Sequence, residues 1–477
     1  MKILIYNWVP FDDPTRRGGG ITKYLHDLIQ NLHTDPTIQC CFLSSGLIYD
    51  FSKKARIEPT ENKFGDRVKT FQVVNSPVIA PACMQFDDLA TYLNDETLLP
   101  LLEKFWTQQG GFDVVHFHGL EGLPLSVLKL KETHPETKFY FSLHNYFLFC
   151  PQVNLWTNTE KNCYLENCYP NCTKCVTVPD SNIEKLASST KKVLQNFGNL
   201  QNTKFYHLLK VLMRYVRNLS ASKKQTAQDT SENHSKEVHM AYRTQNVAYA
   251  NRYFDKIFAV SKQVEKIAQS YGINPELLCT QYIGTTAASE LHPPKHYHGQ
   301  VMTLGYLGYA RADKGFDMLL QALELLPAHI AQQLNVVLAA KCDTQEQYDK
   351  YDMAIQQIAP RFHNISFQNG YTKEEQVQLL AQIDIGTVPV LWEDNLPQVA
   401  IEYIANGVPI LVSDCGGAKE LCTSNHFVYC SRDIHSFVDK ISELVVHPEN
   451  LEVFWENMPK LTTMETHITA LKQYYEL

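Results

Sequence analysis

Short apolar runs alternate with amphipathic stretches along the first half of the chain. The runs contain mainly apolar, β-branched and aromatic residues, which is typical of buried strands, and they lie at residues 3–6, 39–43, 68–74, 113–117, 138–143 and 256–260. Helical periodicity separates them, for example at residues 24–32 and 122–131. This repeated order of strand and helix predicts a doubly wound parallel sheet.

The second half of the chain repeats the same alternation. It predicts helices at residues 316–326 and 373–382, between strands at residues 301–307, 335–340, 365–367, 385–388 and 409–412. We therefore predict an α/β protein with one Rossmann-like domain at residues 1–288, a second at residues 289–460, and a C-terminal helix at residues 461–477 that packs at the domain junction. A ligand bound in the cleft between two such domains would meet the C-terminal strand ends of both parallel sheets.

Residues 150–250 interrupt the alternation. Their later part, residues 176–250, is rich in Lys, Ser, Thr, Gln and Asn and predicts a helical insertion with a flexible tip near residues 220–236. Residues 207–217 have the pattern of a basic amphipathic helix. Such a helix either packs on its own domain or docks on an anionic membrane surface, where a lipid-linked acceptor would be found.

Two carboxylates lie at the two ends of one short predicted helix. Pro397 suits the first helical position, Gly407 suits the stop, and Asp394 falls in the loop before the helix. The N-terminus of this helix would attract an anionic ligand. Glu402 lies about five residues into the helix, roughly 7–8 Å along its axis, where it would contact another part of the same ligand. A nucleotide-sugar, with its sugar, diphosphate and ribose, has that shape.

This segment resembles the acidic-x7-acidic signature of the retaining GT-B glycosyltransferases of family 4, with Asp394 where most members carry Glu. The resemblance implies that the ribose hydroxyls bind Glu402. It implies that the donor sugar contacts Asp394, Asn395, Leu396 and Pro397. The alternative is an ordinary amphipathic helix with a surface Glu.

The start of the second domain resembles the phosphate clamp of the same family, Gly-Arg-x5-Lys-Gly. Lys314 lies six residues after Gly308, so the resemblance places its charge on the donor diphosphate. Tyr309 occupies the position of the family's Arg, and Arg311 would reach the phosphates from two residues further on. The alternative is that both cations are solvated loop residues.

The first domain would supply the other wall of the cleft. Gly19 and Gly20 follow the first strand, in the place of the family's Gly-Gly loop near the donor phosphates. The segment Asp-Val-Val-His-Phe-His at residues 113–118 resembles a family segment that places His118 beside the donor sugar. His144 ends the next strand in the same manner and would line the acceptor side. Taken alone, His118 is more typical of a hydrogen-bonded core histidine than of a catalytic one, and its position at the strand end favours the site.

The resemblance implies a GT-B architecture and transfer with retention of anomeric configuration. No nucleophilic carboxylate is evident beside the sugar, so the acceptor would attack on the face from which the diphosphate departs, and the diphosphate oxygen would take its proton. The residues implied in catalysis are His118, Lys314 and Asp394. No cofactor or divalent metal is required by this arrangement.

Four cysteines lie close together after the His144 strand. Their spacing, x4, x3 and x2, is consistent with a tetrahedral structural zinc site that would pin a long loop, or with unligated cysteines in that loop. The residues concerned are Cys163, Cys168, Cys172 and Cys175.

Composition narrows the class of protein and its location. The chain has 477 residues, 44% of them hydrophobic and 11% aromatic, enough to fill two or three cores. A net charge of −8 gives no support for nucleic-acid binding, and 13 cysteines, scattered except for this one cluster, suit a reducing compartment. We expect a cytoplasmic protein, or one held peripherally at the inner face of the membrane, because the first strand begins at once and no apolar run spans a bilayer.

The resemblance implies a retaining glycosyltransferase that moves a sugar from a nucleoside-diphosphate-sugar to a hydroxyl of a glycan or lipid-linked acceptor. Family habit suggests bacterial surface polysaccharide or glycolipid synthesis. Two alternatives stay open. One is a nucleotide-sugar 2-epimerase of the same architecture, and the other is a non-catalytic nucleotide-sugar-binding protein.

Overall fold

A computed structural model describes residues 1–13, 18–62, 64–80, 89–157, 161–164, 172–175, 181–196, 232–299, 301–456, 458 and 460–475. The strands are β1 (Lys2–Tyr6), β2 (Gln39–Ile48), β3 (Arg56–Thr60), β4 (Val68–Val74), β5 (Val114–Phe117), β6 (Lys138–Leu143), β7 (Lys256–Ala259), β8 (Leu278–Thr280), β9 (Met302–Tyr309), β10 (Leu334–Lys341), β11 (Asn364–Gln368), β12 (Ile385–Val388), β13 (Ile410–Ser413) and β14 (Val428–Tyr429).

The helices lie between and after these strands. The α-helices are α1 (Gly20–Leu32), α2 (Leu89–Asn94), α3 (Leu99–Gln109), α4 (Leu130–Thr133), α5 (Cys172–Cys175), α6 (Ser181–Asn196), α7 (Glu232–Tyr253), α8 (Lys262–Ser270), α9 (Phe316–Leu325), α10 (Ala328–Ala331), α11 (Gln345–Ile358), α12 (Lys373–Gln382), α13 (Gln398–Ala405), α14 (Ile434–Val446), α15 (Asn450–Glu456) and α16 (Met464–Tyr475). Short 3-10 helices lie at Gly65–Arg67, Leu125–Lys129, Ala287–Ser289, Ala359–Arg361, Ala418–Leu421 and Asn425–Phe427.

Two sheets form the frame of the molecule. The first has eight strands in the order β3-β4-β2-β1-β5-β6-β7-β8, all parallel to their neighbours except β3, which runs antiparallel to β4. The second has six parallel strands in the order β11-β10-β9-β12-β13-β14. The predicted α/β fold with two Rossmann-like domains is confirmed. We call the parts that carry β1–β8 and β9–β14 the first and second domain.

One predicted helix begins later than expected and is mostly of another type. Within residues 122–131, a 3-10 helix at Leu125–Lys129 passes into the short α4. The backbone at Gly122 has φ +78°, and Pro124 is extended, so a helix cannot begin before residue 125. The carbonyl of Gly122 instead accepts hydrogen bonds from the hydroxyls of Ser45 and Ser76, at 2.6 and 2.8 Å.

The stretch that joins the domains is fixed on the second domain. The backbone N–H of His292 donates to the carbonyl of Ala405 at the end of α13, at 2.8 Å. The Lys295 ammonium donates to the carbonyls of Ala381 and Ile383 at the end of α12, at 2.9 and 3.0 Å. A lysine at this place satisfies carbonyls that the helix itself leaves unpaired.

The inserted region is described only in part. Helix α7 packs on the loop that follows β6, where the buried Arg243 donates to the carbonyl of Phe149 at 2.6 Å. Residues 197–231, with the predicted basic amphipathic helix and most of the predicted flexible tip, lie outside the described residues, as does Cys168. Within the described ranges, none of the helices has the length and apolar character needed to cross a bilayer.

The C-terminal helix α16 returns to the first domain. The hydroxyl of Tyr475 lies 2.6 Å from Nδ1 of His116 on β5, and Nε2 of His467 lies 2.7 Å from the hydroxyl of Tyr24 on α1. All four side chains are buried. The helix therefore ties the end of the chain to the sheet that begins it.

Candidate functional site

A cavity of about 500 Å³ lies between the two domains. Its walls come from the turn after β1, the end of β6, and the ends of β9 and β12. The predicted site residues that line it are Gly20, His144, Lys314, Asp394, Asn395, Leu396, Pro397 and Glu402. Among the described residues, Gly19, Arg311 and His118 lie outside this lining.

Lys314 and Asp394 form an ion pair at the centre of the second-domain wall. The Lys314 Nζ lies 2.5 Å from Asp394 Oδ2, and 26% of the lysine side chain is exposed against 9% of the aspartate side chain. The same ammonium lies 5.1 Å from the centre of the Trp392 ring. Partial burial strengthens the attraction between the two charges, so a bound anion must compete with Asp394 for Lys314.

Gly315 lets the turn before α9 approach the end of β12. Its φ is +74°, and a Cβ atom there would lie 1.7 Å from the carbonyl oxygen of Pro389. Only glycine fits both the left-handed backbone and the close approach. This contact holds the turn that carries Lys314 against the segment that leads to Asp394.

Glu402 lies on α13 at the other end of the cavity. Helix α13 begins at Gln398, one residue later than predicted, with Pro397 as its N-cap residue, and it stops before Gly407 at φ +72° as predicted. The Glu402 carboxylate accepts from Lys23 Nζ at 2.9 Å and from Gln376 Nε2 at 2.7 Å. Because Lys23 lies on α1, this ion pair bridges the two domains across the cleft.

Lys23 and Gln376 were not predicted as site residues. Lys23 lies on the helix that follows the glycine turn, and Gln376 lies on α12. Neither carries a local pattern that distinguishes it from a surface residue. A second bridge, also missed, joins Gln398 Nε2 to the carbonyl of Gly20 at 2.9 Å.

Arg311 is paired with its own neighbour. Its guanidinium donates to both carboxylate oxygens of Asp313, at 3.0 and 2.8 Å, in a fork geometry. Asp313 is buried, whereas 48% of the Arg311 side chain is exposed. The neighbouring Tyr309 lines the cavity in its place. A role of Arg311 on the donor phosphates stays a prediction.

The two candidate histidines form one stack. His144 lines the cavity, and its Nε2 lies 2.9 Å from Nδ1 of His118, which is buried directly behind it. Burial lowers the pKa of His144 to about 3 and holds the pKa of His118 well below its ordinary value. Both rings are therefore neutral at pH 7 and offer hydrogen bonds rather than charge.

Three buried polar atoms among the cavity-lining residues have no hydrogen-bond partner in the described part of the chain. They are Oγ1 of Thr387, Nε1 of Trp392 and Oδ1 of Asn395. A buried polar group without a partner costs about 1–3 kcal/mol, so these atoms favour a polar ligand in the cavity. Of these three residues, only Asn395 was among the predicted site residues.

The cysteine cluster is only partly described. Cys172 is buried, and its Sγ lies 3.5 Å from Nη2 of Arg243. Within the described ranges, no three His, Cys, Asp or Glu side chains lie close enough together to hold a metal ion, and Cys168 lies outside those ranges. The structural zinc site stays a prediction.

Residues 300–447 match one protein family, Glycosyl transferases group 1. The match covers the strands and helices that carry Lys314, Asp394 and Glu402. No curated protein sequence gives a significant match to the chain.

Several solved structures share the whole architecture. The Anabaena protein HepE in complex with UDP-glucose is 13% identical over 100% of both chains, with a TM-score of 0.56. Sucrose-phosphate synthase from Thermosynechococcus elongatus is 13% identical over 100% of this chain and 98% of its own, with a TM-score of 0.56. The lipopolysaccharide outer core galactosyltransferase WaaB is 11% identical over 99% of this chain and 100% of its own, with a TM-score of 0.54.

Identities this low establish a common fold and nothing finer. The second domain thus matches the Glycosyl transferases group 1 family, and the whole chain has the two-domain GT-B fold of the glycosyltransferases to which it is similar.

Proposed function

We propose that this protein is a retaining glycosyltransferase that moves a sugar from a UDP-sugar to a hydroxyl of a glycan or lipid-linked acceptor. The observation that carries the proposal is one cavity between the domains, lined by Lys314, Asp394 and Glu402 from the family-matched region. UDP is the nucleotide we favour, because the structure of HepE contains UDP-glucose. The likeness to WaaB supports an acceptor in bacterial surface polysaccharide or glycolipid synthesis.

The charges of the cavity suit a nucleoside diphosphate. The ammonium of Lys314 and the N-terminus of α13 supply positive potential for the diphosphate. Asp394 and Glu402 would then accept hydrogen bonds from hydroxyl groups of the sugar and the ribose. Donor binding would replace the internal pairs of Lys314 with Asp394 and of Lys23 with Glu402.

The carboxylates of the cavity favour direct retention over a covalent intermediate. Among the described residues that line it, Asp394 and Glu402 are the acids, and each is paired with a lysine. A retaining glycosidase instead requires two carboxyl groups about 5 Å apart, flanking the scissile bond. We infer that the acceptor attacks on the face of the leaving diphosphate, with His144 as a neutral hydrogen-bonding partner on the acceptor side and His118 supporting its orientation.

The first test is a thermal-shift screen with UDP, GDP, ADP, CMP and UDP-glucose. A ligand at 100 times its Kd stabilises the folded state by about 2.7 kcal/mol, which is a clear shift. We expect this shift with UDP and UDP-glucose, and its loss in Glu402→Ala and Lys314→Ala. Glu346→Ala, which changes an exposed acid on α11, is the matched control.

A protein that no nucleotide stabilises would overturn the proposal. Product analysis separates the alternatives that the sequence left open, because a 2-epimerase releases an isomerised donor and a non-catalytic protein binds without turnover. The anomeric configuration of a transferred sugar, measured by NMR, tests retention.

A further inference from the structure

The loop after β6 reaches across to the second domain. Trp156 and Asn162 pair as an antiparallel bridge, and the N–H of Cys163 donates to the carbonyl of Leu155 at 2.7 Å. These contacts pair residues 155–156 with residues 162–163. Residues 161–164 lie against the segment that leads to Asp394.

The amide of Asn162 pairs with the second domain as a peptide group would. Its Nδ2 donates to the carbonyl of Leu391 at 2.9 Å, and its Oδ1 accepts the backbone N–H of Glu393 at 3.2 Å. One side chain thus satisfies an acceptor and a donor of the same short segment. Replacement by alanine would leave both without this partner.

Glu393 is a buried carboxylate at the domain boundary, with 5% of the residue exposed. Its Oε1 accepts from the hydroxyl of Tyr164 at 3.0 Å. Its Oε2 accepts from Nε2 of Gln263 at 3.0 Å and from the backbone N–H of Gly416 at 2.9 Å. A buried carboxylate requires such donors, and two of these three belong to the first domain.

The same contacts fix the backbone of Asp394. Its carbonyl accepts the N–H of Gly417 at 2.8 Å, one residue after the N–H that binds Glu393. A Cβ atom at Gly416 would lie 2.2 Å from the Asp394 carbonyl oxygen, so the two segments are in close contact. The position of the Asp394 carboxylate therefore depends on how Glu393 is held.

We propose that Asn162, Tyr164, Gln263 and Glu393 form an interdomain clasp that holds residues 391–394 in the geometry required to bind the donor. Asn162 and Glu393 are thereby positioning residues for Asp394, an assignment that rests on the proposed function. The clasp makes the shape of the donor site depend on the loop of the first domain.

A second interdomain contact provides the control. The hydroxyl of Tyr282 donates to Oε2 of Glu420 at 2.7 Å, and the same carboxylate accepts the backbone N–H of Gln263 at 2.7 Å. Tyr282→Phe and Tyr164→Phe therefore each remove one phenol-to-carboxylate hydrogen bond between the domains. Of the two tyrosines, only Tyr164 contacts Glu393, the residue beside Asp394.

The test measures hydrogen exchange and ligand affinity in the same variants. In the ligand-free protein we expect Asn162→Ala to accelerate exchange of the peptide 388–398 roughly tenfold or more, because it removes two hydrogen bonds to this segment, with β9 unchanged. We expect Asn162→Ala and Tyr164→Phe to raise the Kd for UDP-glucose about fivefold or more, and Tyr282→Phe to leave it within about twofold.

Unchanged exchange of residues 388–398 in Asn162→Ala would overturn the clasp. Faster exchange with wild-type affinity for UDP-glucose would overturn the positioning role. A wild-type protein that binds no nucleotide-sugar would contradict the proposed function. In that case, hydrogen exchange of the ligand-free protein still tests whether the clasp exists.

Discussion

At the scale of single residues, the charged side chains of the cavity are paired with one another. Lys314 is held by Asp394 and Glu402 by Lys23, so the ligand-free cavity carries its own counterions. To bind, a donor must replace these internal ion pairs with more favourable contacts to Lys314, Asp394 and Glu402. The opposite case is Glu121, a carboxyl group that is hydrogen-bonded to the cavity-lining Asn145.

Glu121 is fully buried after β5, and burial raises its pKa from 4.5 to about 7. Its Oε1 accepts from Nδ2 of Asn145, a cavity-lining residue, at 2.5 Å. The groups that face it from β1, α2 and α7 are the neutral phenols of Tyr6, Tyr92 and Tyr242. Among these described neighbours, none is a cation that would stabilise the ionised carboxylate of Glu121.

The pH dependence follows from this shift. Between pH 4.5 and about 7 the native protein binds more protons at Glu121 than the unfolded chain does. The free energy of unfolding therefore falls as the pH rises through this range, and the contribution of Glu121 is present at low pH and lost at high pH. From pH 5 to pH 8 we expect a loss of about 2 to 3 kcal/mol that Glu121→Gln does not undergo.

Urea unfolding of both proteins at the two pH values measures this. The comparison with Glu121→Gln is required because burial lowers the pKa of His144 and of His467, to about 3 and about 4, and these shifts act in the opposite direction. Parallel pH dependences of the two proteins would contradict the assignment.

At the scale of elements, the periodic pattern predicted most strands and helices. It failed where a local backbone conformation or the position in a sheet determines the element. The strands 68–74, 138–143 and 385–388 have the predicted bounds. Strands β3, β8 and β14, each at or next to a sheet edge, were not predicted. Edge strands are short and partly exposed, so their apolar pattern is weak.

The turn before α9 offers a prediction at this scale. Gly315→Ala would combine the strain of a positive φ with a contact against Pro389, whereas Gly65 has a similar φ of +65° and no atom within 4 Å of the added Cβ. We expect Gly65→Ala to cost about 1 to 2 kcal/mol of unfolding free energy.

For Gly315→Ala the cost should be about 2 to 5 kcal/mol, because the turn must move away from β12. Displacement of the turn should also weaken binding of UDP-glucose, since Lys314 lies next to it. Urea titration and calorimetry measure both effects. Equal losses in the two variants would show that the contact with Pro389 has no influence.

At the scale of the whole molecule, the last helix couples the two ends of the chain. The Tyr475 hydroxyl is the partner of buried His116, whose other nitrogen lies 2.8 Å from Ser142 Oγ. Tyr475→Phe would leave Nδ1 of His116 without this partner. We expect the free energy of unfolding to fall by about 1 to 3 kcal/mol with donor binding retained, because neither residue lines the cavity.

The measurement is a urea midpoint, with Tyr348→Phe as the control on a half-buried tyrosine stacked against Phe367. A midpoint equal to that of the wild type would mean that the hydrogen bond of α16 contributes nothing to the stability of the first domain.

The two-domain α/β fold and the segments that carry the site could be predicted from the sequence alone. Apolar periodicity and glycine or proline punctuation are local properties, so they can be read along the chain. Punctuation placed the acids at 394 and 402 at the ends of one helix, the resemblance to a family's motifs added the lysine at 314, and all three line the cavity.

The tertiary structure decided the partner of each side chain. Lys23 meets Glu402 across 379 positions and Asn162 meets Glu393 across 231, and no local pattern encodes such pairs. Packing likewise turned Arg311 to Asp313 and placed His118 behind His144. Contacts of this range depend on how the two sheets are brought together, because each pairing is fixed by the geometry of the closed interface rather than by the residues that surround it in sequence.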